Sequence, residues 1–261
     1  MTIISSHYKD ERGRRYAALV QNDPCSLGYA LNLEFFRPYI KQTDHVLDFG
    51  CGNGGMLRLL SRYVAKAEGL EVNAASAEMA RAAGLNVYAG VDELPREAAY
   101  DIVVSNHVLE HVPDVCATLE RLRQCIKPGG LFVTKLPIDD FRSSHQSRWS
   151  RENLDHHLHT WSPRLFANVL FEAGYGVREC RVSTSAWHPR LFPLVRLGVA
   201  SVAFRLFAIL ARRRQLMAVG EVPDQALGVG LWAEESHTGS TSSTAAEIPR
   251  AREFSEIASS A

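Results

Sequence analysis

The sequence predicts an α/β fold built on a parallel sheet with helices on both faces. Between residues 44 and 136, short apolar segments with the length of buried strands alternate with helix-like segments. This alternation is typical of βαβ units, in which crossover helices join parallel strands. A glycine-rich turn follows the first strand, and a Pro-Gly-Gly sequence precedes the fifth. Ligands bind beyond the carboxyl ends of such strands, so the pattern also predicts where a site lies.

The first predicted strand and its turn form the most informative stretch of the chain. The strand Val46-Leu47-Asp48-Phe49 runs directly into Gly50-Cys51-Gly52-Asn53-Gly54, and a helix-like segment follows. Glycines let the backbone turn tightly and approach a ligand closely, while the helix N-terminus offers unpaired N–H groups. These features predict a site for a nucleotide-type cofactor. The spacing Gly50-x-Gly52-x-x-Gly55 also fits a dinucleotide fingerprint, but a nicotinamide site has no particular need for Asp48.

Four more strands are predicted after this turn, each followed by polar residues. The second covers residues 67–72 and ends in an acidic residue, Glu71, and the third covers residues 86–89. The fourth begins at Tyr100 and leads into a polar turn at residues 105–112. Residues 127–130, Lys-Pro-Gly-Gly, are predicted to stop a helix just before the fifth strand.

These motifs, in this order and at these intervals, resemble the class I S-adenosylmethionine-dependent methyltransferases. The similarity is to the broad bacterial small-molecule branch, of type 11 and type 23, and it covers roughly residues 26 to 186 plus a last strand. The resemblance implies a Rossmann-like sheet of seven strands that is mostly parallel, with helices on both faces and an antiparallel last strand. It also implies an enzyme that uses S-adenosyl-L-methionine.

The resemblance assigns residues to parts of the cofactor. The glycine turn packs against the amino-acid part, Asp48 helps to organise the groups around its ammonium, and Glu71 accepts both ribose hydroxyls. The loop at residues 90–95 reads the adenine edge, and Asp92 is preferred there over Val91 and Glu93. The residues predicted to bind the cofactor are Asp48, Gly50, Cys51, Gly52, Gly54, Glu71, Asp92 and Asn106.

Composition divides the rest of the chain into further segments. Residues 1–43 are predicted to form a helical cap whose aromatic residues serve mainly in packing. The predicted segments after it are the cofactor-binding core at 44–186, an apolar and basic insertion at 187–226, the last strand of the core at 227–235, and a disordered tail at 236–261.

The insertion is strongly apolar at residues 187–215 and contains several arginines. It does not predict a transmembrane helix, because Arg196 and Arg205 interrupt it and its charge-free runs are shorter than the roughly 18 residues of a span. These two arginines would lie about 180° apart on a helix, so the segment is not cleanly amphipathic. Three interpretations remain: a buried lid helix, a dimerisation helix, or an interfacial anchor that meets a lipid-carried substrate.

Charge and cysteine content exclude several classes of protein. The 261 residues contain 29 Lys and Arg against 29 Asp and Glu, a balance that gives no support to nucleic-acid binding. The five cysteines are scattered without a Cys-x-x-Cys pair, which suits a reducing cytoplasm better than a disulfide scaffold or a zinc site. Residues 1–15 are polar and charged and do not predict a secretory signal. We therefore expect a cytoplasmic enzyme, peripheral to the inner face of the membrane if the anchor interpretation holds.

The expected reaction is direct in-line methyl transfer, for which positioning and proton removal supply most of the acceleration. His107 follows the fourth strand and is the candidate general base for an alcohol acceptor, with simple packing on the cofactor as the alternative. His111, His157 and His159 are predicted to contact substrate.

Two histidine patterns suggest a metal, but neither is complete. His107, Glu110 and His111 resemble the Glu-x-x-Glu-His arrangement of ubiquinone-type O-methyltransferases, and the chain departs from it at the first position. The His-His-x-His sequence at 156–159 has no carboxylate or thiol at a convincing ligand spacing. No metal is predicted from the sequence.

The predicted acceptor is a small molecule or a glycoconjugate, with O-methylation of a sugar hydroxyl as the first choice. Protein or nucleic-acid methylation is less favoured, because Ser105-Asn106-His107-Val108 stands where many amino-group methylases carry an Asn/Asp-Pro-Pro-Tyr-type signature. An NAD-dependent oxidoreductase would explain the glycines but not Asp48 or residues 127–130. A non-catalytic cofactor-binding scaffold would not need such complete motifs. The oligomeric state is left open.

Overall fold

The protein folds around a seven-stranded sheet with helices packed on both faces. The computed structural model describes residues 5, 8, 10–21, 26–139, 148–150, 156–184, 189–191, 200–211 and 213–224. The strands are β1 (His45–Phe49), β2 (Lys66–Leu70), β3 (Val87–Tyr88), β4 (Tyr100–Asn106), β5 (Ile126–Ile138), β6 (Gly176–Ser183) and β7 (Arg214–Glu221). The helices are α1 (Asp10–Gln21), α2 (Ser26–Phe36), α3 (Gly55–Leu60), α4 (Ala74–Ala82), α5 (Val115–Cys125), α6 (Pro163–Glu172) and α7 (Ala200–Leu210).

The strand order is β3-β2-β1-β4-β5-β7-β6. Strands β1 to β5 pair in parallel, and β7 runs antiparallel to both of its neighbours, β5 and β6. The prediction of a mostly parallel seven-stranded sheet with an antiparallel last strand is confirmed. The chain leaves β1 in one direction toward β2 and returns on its other side as β4, so the β1/β4 boundary is a topological switch point where a crevice opens.

Alternating apolar side chains cover both faces of the sheet. Leu47 of β1 and Val103 of β4 belong to a cluster that includes α5 and α6, whereas Val46 and Ile102 pack on the opposite face with α2 and α3. Successive side chains of a strand point to opposite faces, so strands buried on both sides read as continuous apolar runs. The runs noted in the sequence are therefore central strands.

Polar residues at defined positions start the crossover helices. The Asn73 side chain accepts hydrogen bonds from the N–H groups of Ala75 and Ser76 at the start of α4. Asp114 caps α5 in the same way, and Ser162 caps α6, in which Pro163 takes the first position. These caps satisfy N–H groups that lack partners within the helix.

The position predicted for the last strand needs correction. Residues 225–261, which include the predicted strand at 227–235 and the predicted tail, lie outside the described residues. The seventh strand is β7, which pairs with β5 from Arg214 opposite Ile138 to Glu221 opposite Leu131. Its buried apolar stretch is short and follows the arginine cluster directly, so the sequence pattern assigns it to the insertion. The segment that separates β6 from β7 is correspondingly shorter than 187–226.

Helix α7 is the described helix of that shorter insertion. Phe204 and Ala208 are buried, whereas Val202, Leu206 and Ile209 are each more than half exposed. The helix thus has a packed side and an exposed apolar side, which the spacing of Arg196 and Arg205 does not predict. Within the described residues, no helix is long and apolar enough to cross a membrane.

Candidate active site

A cavity of about 270 Å³ opens at the carboxyl ends of β1, β2 and β4. This is the location that the strand order predicts for a ligand. Residues that the sequence pattern assigns to the cofactor, to catalysis or to substrate contact form part of its wall, namely Gly50, Gly52, Glu71, Asn106, His107 and His111. The parallel sheet therefore brings together side chains that are up to 61 positions apart in the sequence.

The glycine turn needs glycine for two different reasons. Gly50 and Gly52 both have positive φ, at 82° and 56°, which side-chain-bearing residues rarely adopt. A Cβ at Gly50 would lie 2.3 Å from Val108, so this position also has no room for a side chain. A Cβ at Gly52 would meet no atom within 4 Å, because this residue faces the open cavity. The turn thus presents bare backbone to the cavity.

The Glu71 carboxylate is held in place by backbone N–H groups. It accepts hydrogen bonds from Gly52 at 2.9 Å and from Asn73 at 2.7 Å, and it lines the cavity. Burial raises the pKa of Glu71, and the two hydrogen bonds oppose that rise. The end of β2 is therefore fixed to the glycine turn, with an acceptor group directed at the space between them.

Asp48 lies beneath the turn and is not part of the cavity wall. Its side chain is 1% exposed, and neither carboxylate oxygen has a hydrogen-bond partner among the described residues. Burial, with a smaller contribution from the charge of Glu71, raises the pKa of Asp48 to about 7. A buried carboxyl without partners is costly when charged, so a cationic group placed beside it would stabilise its charged form.

Three other residues assigned to the cofactor occupy different positions. Cys51 is buried with Leu57 and Ala77 between the sheet and the flanking helices, and burial raises the pKa of its thiol. Gly54 is the N-cap of α3, with φ at 82°. Asp92 is exposed and is absent from the cavity wall, whereas its neighbour Val91 is buried and lines it.

His107 stands at the end of β4 with a left-handed backbone, φ 56°. Its N–H donates to the carbonyl of Lys135 at 2.8 Å. Burial, followed by the positive charges of Lys135, His157 and His111, lowers the pKa of His107 to about 3. The imidazole is therefore neutral at physiological pH, which a proton acceptor requires, but its basicity is weak.

Glu110 is the most deeply enclosed acid of the site. Its side chain is 0% exposed, and its carboxylate oxygens accept no hydrogen bond from the described residues. Its Oε1 lies 3.7 Å from Nδ1 of His107 and 3.7 Å from Nε2 of His111. Burial raises the pKa of Glu110 to about 8. Its backbone carbonyl accepts hydrogen bonds from Leu158 and His159, joining this turn to the segment before α6.

The remaining histidines have distinct surroundings. The His157 Nδ1 lies 2.9 Å and 3.1 Å from the two carboxylate oxygens of Asp139, and its ring centroid is 5.0 Å from that of His111. His159 instead makes a hydrogen bond to the carbonyl of Val112 at 2.9 Å and stacks on Trp161. The structure thus brings His111 and His157 together and directs the His159 ring to the Val112 carbonyl.

Comparison with known proteins identifies the family. The profile of a family described as a methyltransferase domain matches residues 22–179, more than half of the chain. The chain belongs to the class I S-adenosylmethionine-dependent methyltransferases. A ubiquinone biosynthesis O-methyltransferase of Cereibacter sphaeroides is 28% identical over 177 residues, which cover 60% of this chain and 72% of the relative. A trans-aconitate 2-methyltransferase of an Acidovorax species is 26% identical over 157 residues, 55% of this chain and 59% of the relative.

Solved structures support the fold of this methyltransferase. Phosphoethanolamine N-methyltransferase 2 of Haemonchus contortus, in complex with S-adenosyl-L-methionine, superimposes with a TM-score of 0.57 at 15% identity. The match covers 84% of this chain and 58% of that one. At such low identity the likeness concerns the fold alone.

Several residues of the methyltransferase site are not found by sequence reasoning. Tyr8 and Tyr16 precede the core and are expected to pack, yet both line the cavity, and Tyr8 makes a hydrogen bond to Nδ1 of His111 at 2.9 Å. Lys135 is 6% exposed on β5, where burial lowers its pKa to about 8 and Asn32 accepts its hydrogen bond at 2.9 Å. A lysine inside an apolar strand is a sequence signal for this last residue, whereas the tyrosine contacts depend on tertiary packing.

Proposed function

We propose that this methyltransferase transfers the methyl group of S-adenosyl-L-methionine to an oxygen atom of a small molecule or glycoconjugate. The observation that carries the proposal is the continuity of one cavity from the glycine turn and the Glu71 carboxylate to His107 and His111. A cofactor and an acceptor need adjoining space, and this cavity supplies it at the switch point of the sheet.

The cavity wall suits the cofactor in one orientation, with its amino-acid part at the glycine turn and its adenine ring beyond Glu71. Glu71 offers a fixed carboxylate for the ribose hydroxyls, and the bare backbone of Gly50 and Gly52 admits the amino-acid part. The apolar side chains of Leu70 and Val91 suit the adenine ring, and exposed Asp92, the next residue after Val91, is the candidate for its amino group. Asp48 beneath the turn supplies the anion that the cofactor's ammonium group favours.

The chemistry needs little covalent help from the protein. The acceptor oxygen attacks the methyl carbon in line, the new C–O bond forms as the C–S bond breaks, and S-adenosylhomocysteine leaves as a neutral thioether. The wall beyond the turn carries His107, a neutral imidazole that can take the proton of an alcohol acceptor. Its weak basicity implies that orientation and exclusion of water supply the larger share of the acceleration.

The acceptor class rests on the relatives and on the cavity. Both relatives are named for small molecules, one as an O-methyltransferase in ubiquinone biosynthesis and one as a methyltransferase of trans-aconitate. The histidine and tyrosine side chains of the wall, including Tyr8 and His111, can hydrogen-bond the hydroxyls of such acceptors. A sugar hydroxyl remains our first choice within this class.

We further propose that the enzyme works in the cytoplasm and contacts the inner membrane surface through α7. The exposed apolar side chains Val202, Leu206, Ile209 and Leu210 form one stripe of this helix, and Arg205 beside them is exposed as well. No acidic residue occurs between Ala200 and Gln215. An apolar stripe with adjoining arginines suits an anionic lipid surface, where a lipid-carried acceptor would be found.

Calorimetric titration with S-adenosylhomocysteine, run beside NAD and NADP, tests the cofactor. We expect micromolar binding of S-adenosylhomocysteine alone, followed by transfer of labelled methyl groups to hydroxylated acceptors in a screen. Binding of a dinucleotide alone would contradict the proposal. Binding of none of the three would favour a scaffold that has lost cofactor affinity.

A further inference from the structure

The Glu110 carboxylate is an enclosed acid with imidazole rings beside it. It is fully buried, and its two oxygens accept no hydrogen bond from the described residues. Two imidazole nitrogens, Nδ1 of His107 and Nε2 of His111, each lie 3.7 Å from Oε1, a distance too long for a hydrogen bond. The charged form of a buried carboxyl group is stable when a cation or a set of donors compensates it.

Three potential metal donors converge at this point from two separate segments. One ligand atom each from Glu110, His111 and His157 lies within 4.8 Å of the others. Glu110 and His111 belong to the turn after β4, and His157 belongs to the segment before α6. Hydrogen bonds from Leu158 and His159 to the Glu110 carbonyl hold the two segments together.

Both histidines are oriented by neighbours that resemble the outer shell of a metal site. The Asp139 carboxylate contacts Nδ1 of His157, so Nε2 is the nitrogen that would meet an ion. Tyr8 Oη contacts Nδ1 of His111 at 2.9 Å, while Nε2 of that ring faces Glu110. Metal-binding histidines commonly engage their second nitrogen in such contacts, which fix the ring and its tautomer.

We propose that Glu110, His111 and His157 bind one divalent transition-metal ion on the wall of the active-site cavity. Ligand atoms at about 2.1 Å from an ion are roughly 3 to 4 Å apart, so small side-chain rotations would close these donors on it. Two imidazoles and one carboxylate favour zinc, cobalt, iron or manganese over magnesium and calcium, which prefer all-oxygen sites. Three protein ligands leave positions open for solvent or substrate.

The ligand set also explains why sequence spacing predicts no metal. The His-His-x-His sequence has no carboxylate at a convincing ligand spacing, and the turn after β4 carries His107 in place of an acid. The fold supplies the missing partner by placing His157 beside Glu110 and His111. Ligands from two distant segments leave no regular spacing in the sequence.

The inference deepens the proposed function and rests on it for its chemical meaning. Because His111 lines the cavity, an ion beside it would face the acceptor space. An acceptor hydroxyl bound at an open position would lose its proton more readily, with water or an imidazole as the proton acceptor. The oxygen would then form the C–O bond while the C–S bond of the cofactor breaks.

Cobalt(II) titration of the untagged full-length protein tests the site without any activity measurement. We expect one equivalent to bind with visible absorption bands, and zinc, but not millimolar magnesium, to displace it. Glu110→Gln, His111→Ala and His157→Ala should each weaken binding at least about 10-fold, and Asp139→Asn about 10-fold to 100-fold. His159→Ala is the matched control, because His159 lies in the same segment and contacts the Val112 carbonyl instead.

Two results would overturn the site. One is the absence of stoichiometric cobalt binding to the wild-type protein, and the other is binding that persists unchanged in both His111→Ala and His157→Ala. Calorimetry with S-adenosylhomocysteine on the same samples separates this inference from the proposed function. If the protein binds the cofactor but not cobalt, only the metal-site proposal is contradicted. If it binds cobalt but not the cofactor, only the proposed methyl transfer is contradicted.

Discussion

The carboxylate of Glu71 accepts a hydrogen bond from the backbone N–H of Gly52 at 2.9 Å. This contact joins the acid at the end of β2 to the middle of the glycine turn, 19 positions earlier in the chain. The second carboxylate oxygen accepts the N–H of Asn73, which itself caps α4. One side chain thus sets the geometry of the turn and presents an acceptor to the cavity.

Substitution of Glu71 should separate these two roles. Glu71→Gln keeps an oxygen for the backbone N–H groups but weakens the acceptor offered to ribose, so we expect at least about 10-fold lower affinity for S-adenosylhomocysteine with a stable fold. Glu71→Ala leaves two N–H groups without this acceptor and should also lower the free energy of unfolding by about 1 to 3 kcal/mol. Calorimetry and urea unfolding measure the two effects, with exposed Glu78→Gln as control. Unchanged affinity in both Glu71 variants would exclude the ribose role.

Substitution of Gly52 separates the effect of a side chain in the cavity from the effect of backbone strain. Gly52→Ala and Gly84→Ala introduce a Cβ at positive φ, 56° and 82°, and in both positions the Cβ meets no atom within 4 Å. Each should cost on the order of 1 kcal/mol of stability. Only Gly52 faces the cavity, so only Gly52→Ala should abolish cofactor binding. Equal cofactor affinity in the two variants would place the cofactor elsewhere.

Asp48 makes stability depend on pH in an unusual direction. The native state holds its proton up to about pH 7, whereas an unfolded aspartate loses it near pH 4. Between these values the unfolded state binds fewer protons, so stability falls as the pH rises, by up to about 4 kcal/mol for this group. Asp48→Asn should remove this contribution, and exposed Asp92→Asn should not. Urea unfolding of the wild-type protein, Asp48→Asn and Asp92→Asn at pH 5 and pH 8 measures how far the free energy of unfolding of each changes with pH.

Cofactor affinity should follow the ionisation of the same residue. The ammonium group of S-adenosylhomocysteine favours the charged carboxylate, so binding is expected to release a proton and to strengthen from pH 6 to pH 8. Calorimetry in buffers of different ionisation enthalpy detects the released proton. In Asp48→Asn, both the proton release and the pH dependence should disappear. Proton release that is equal in the two proteins would show that another group titrates.

The sheet and most of the cofactor wall follow from local sequence features. Continuous apolar runs identify central strands, and the glycines of the turn identify the crevice, because both depend on residues close together in the chain. The strand β7 is missed because its buried stretch is short and begins right after arginines. The convergence of Tyr8, Glu110 and His157 depends on packing between distant segments, which spacing does not encode.

His107 can be tested with a variant that preserves its backbone. Asparagine tolerates left-handed φ better than alanine, so His107→Asn should keep the turn after β4 while removing the imidazole. If His107 takes the acceptor's proton, kcat should fall by about 10²-fold or more with unchanged affinity for S-adenosylhomocysteine. Since its pKa is about 3, His107 should contribute no change to the rate between pH 5 and pH 9. An unchanged kcat with saturating acceptor would remove it from this role.

The exposed side of α7 should govern contact with lipid. Leu206 and Ile209 are 53% and 54% exposed on this helix. Burial of these apolar side chains in an anionic lipid interface is favourable, whereas glutamates in their place would be repelled by the negative lipid headgroups. We therefore expect the wild-type protein to float with anionic vesicles at low salt and the Leu206→Glu/Ile209→Glu variant to remain unbound. Leu165→Glu on α6, where Leu165 is 56% exposed, is the matched control and should still float. If the wild-type protein stays unbound while a known peripheral protein floats, the apolar side of α7 must be covered by something other than lipid.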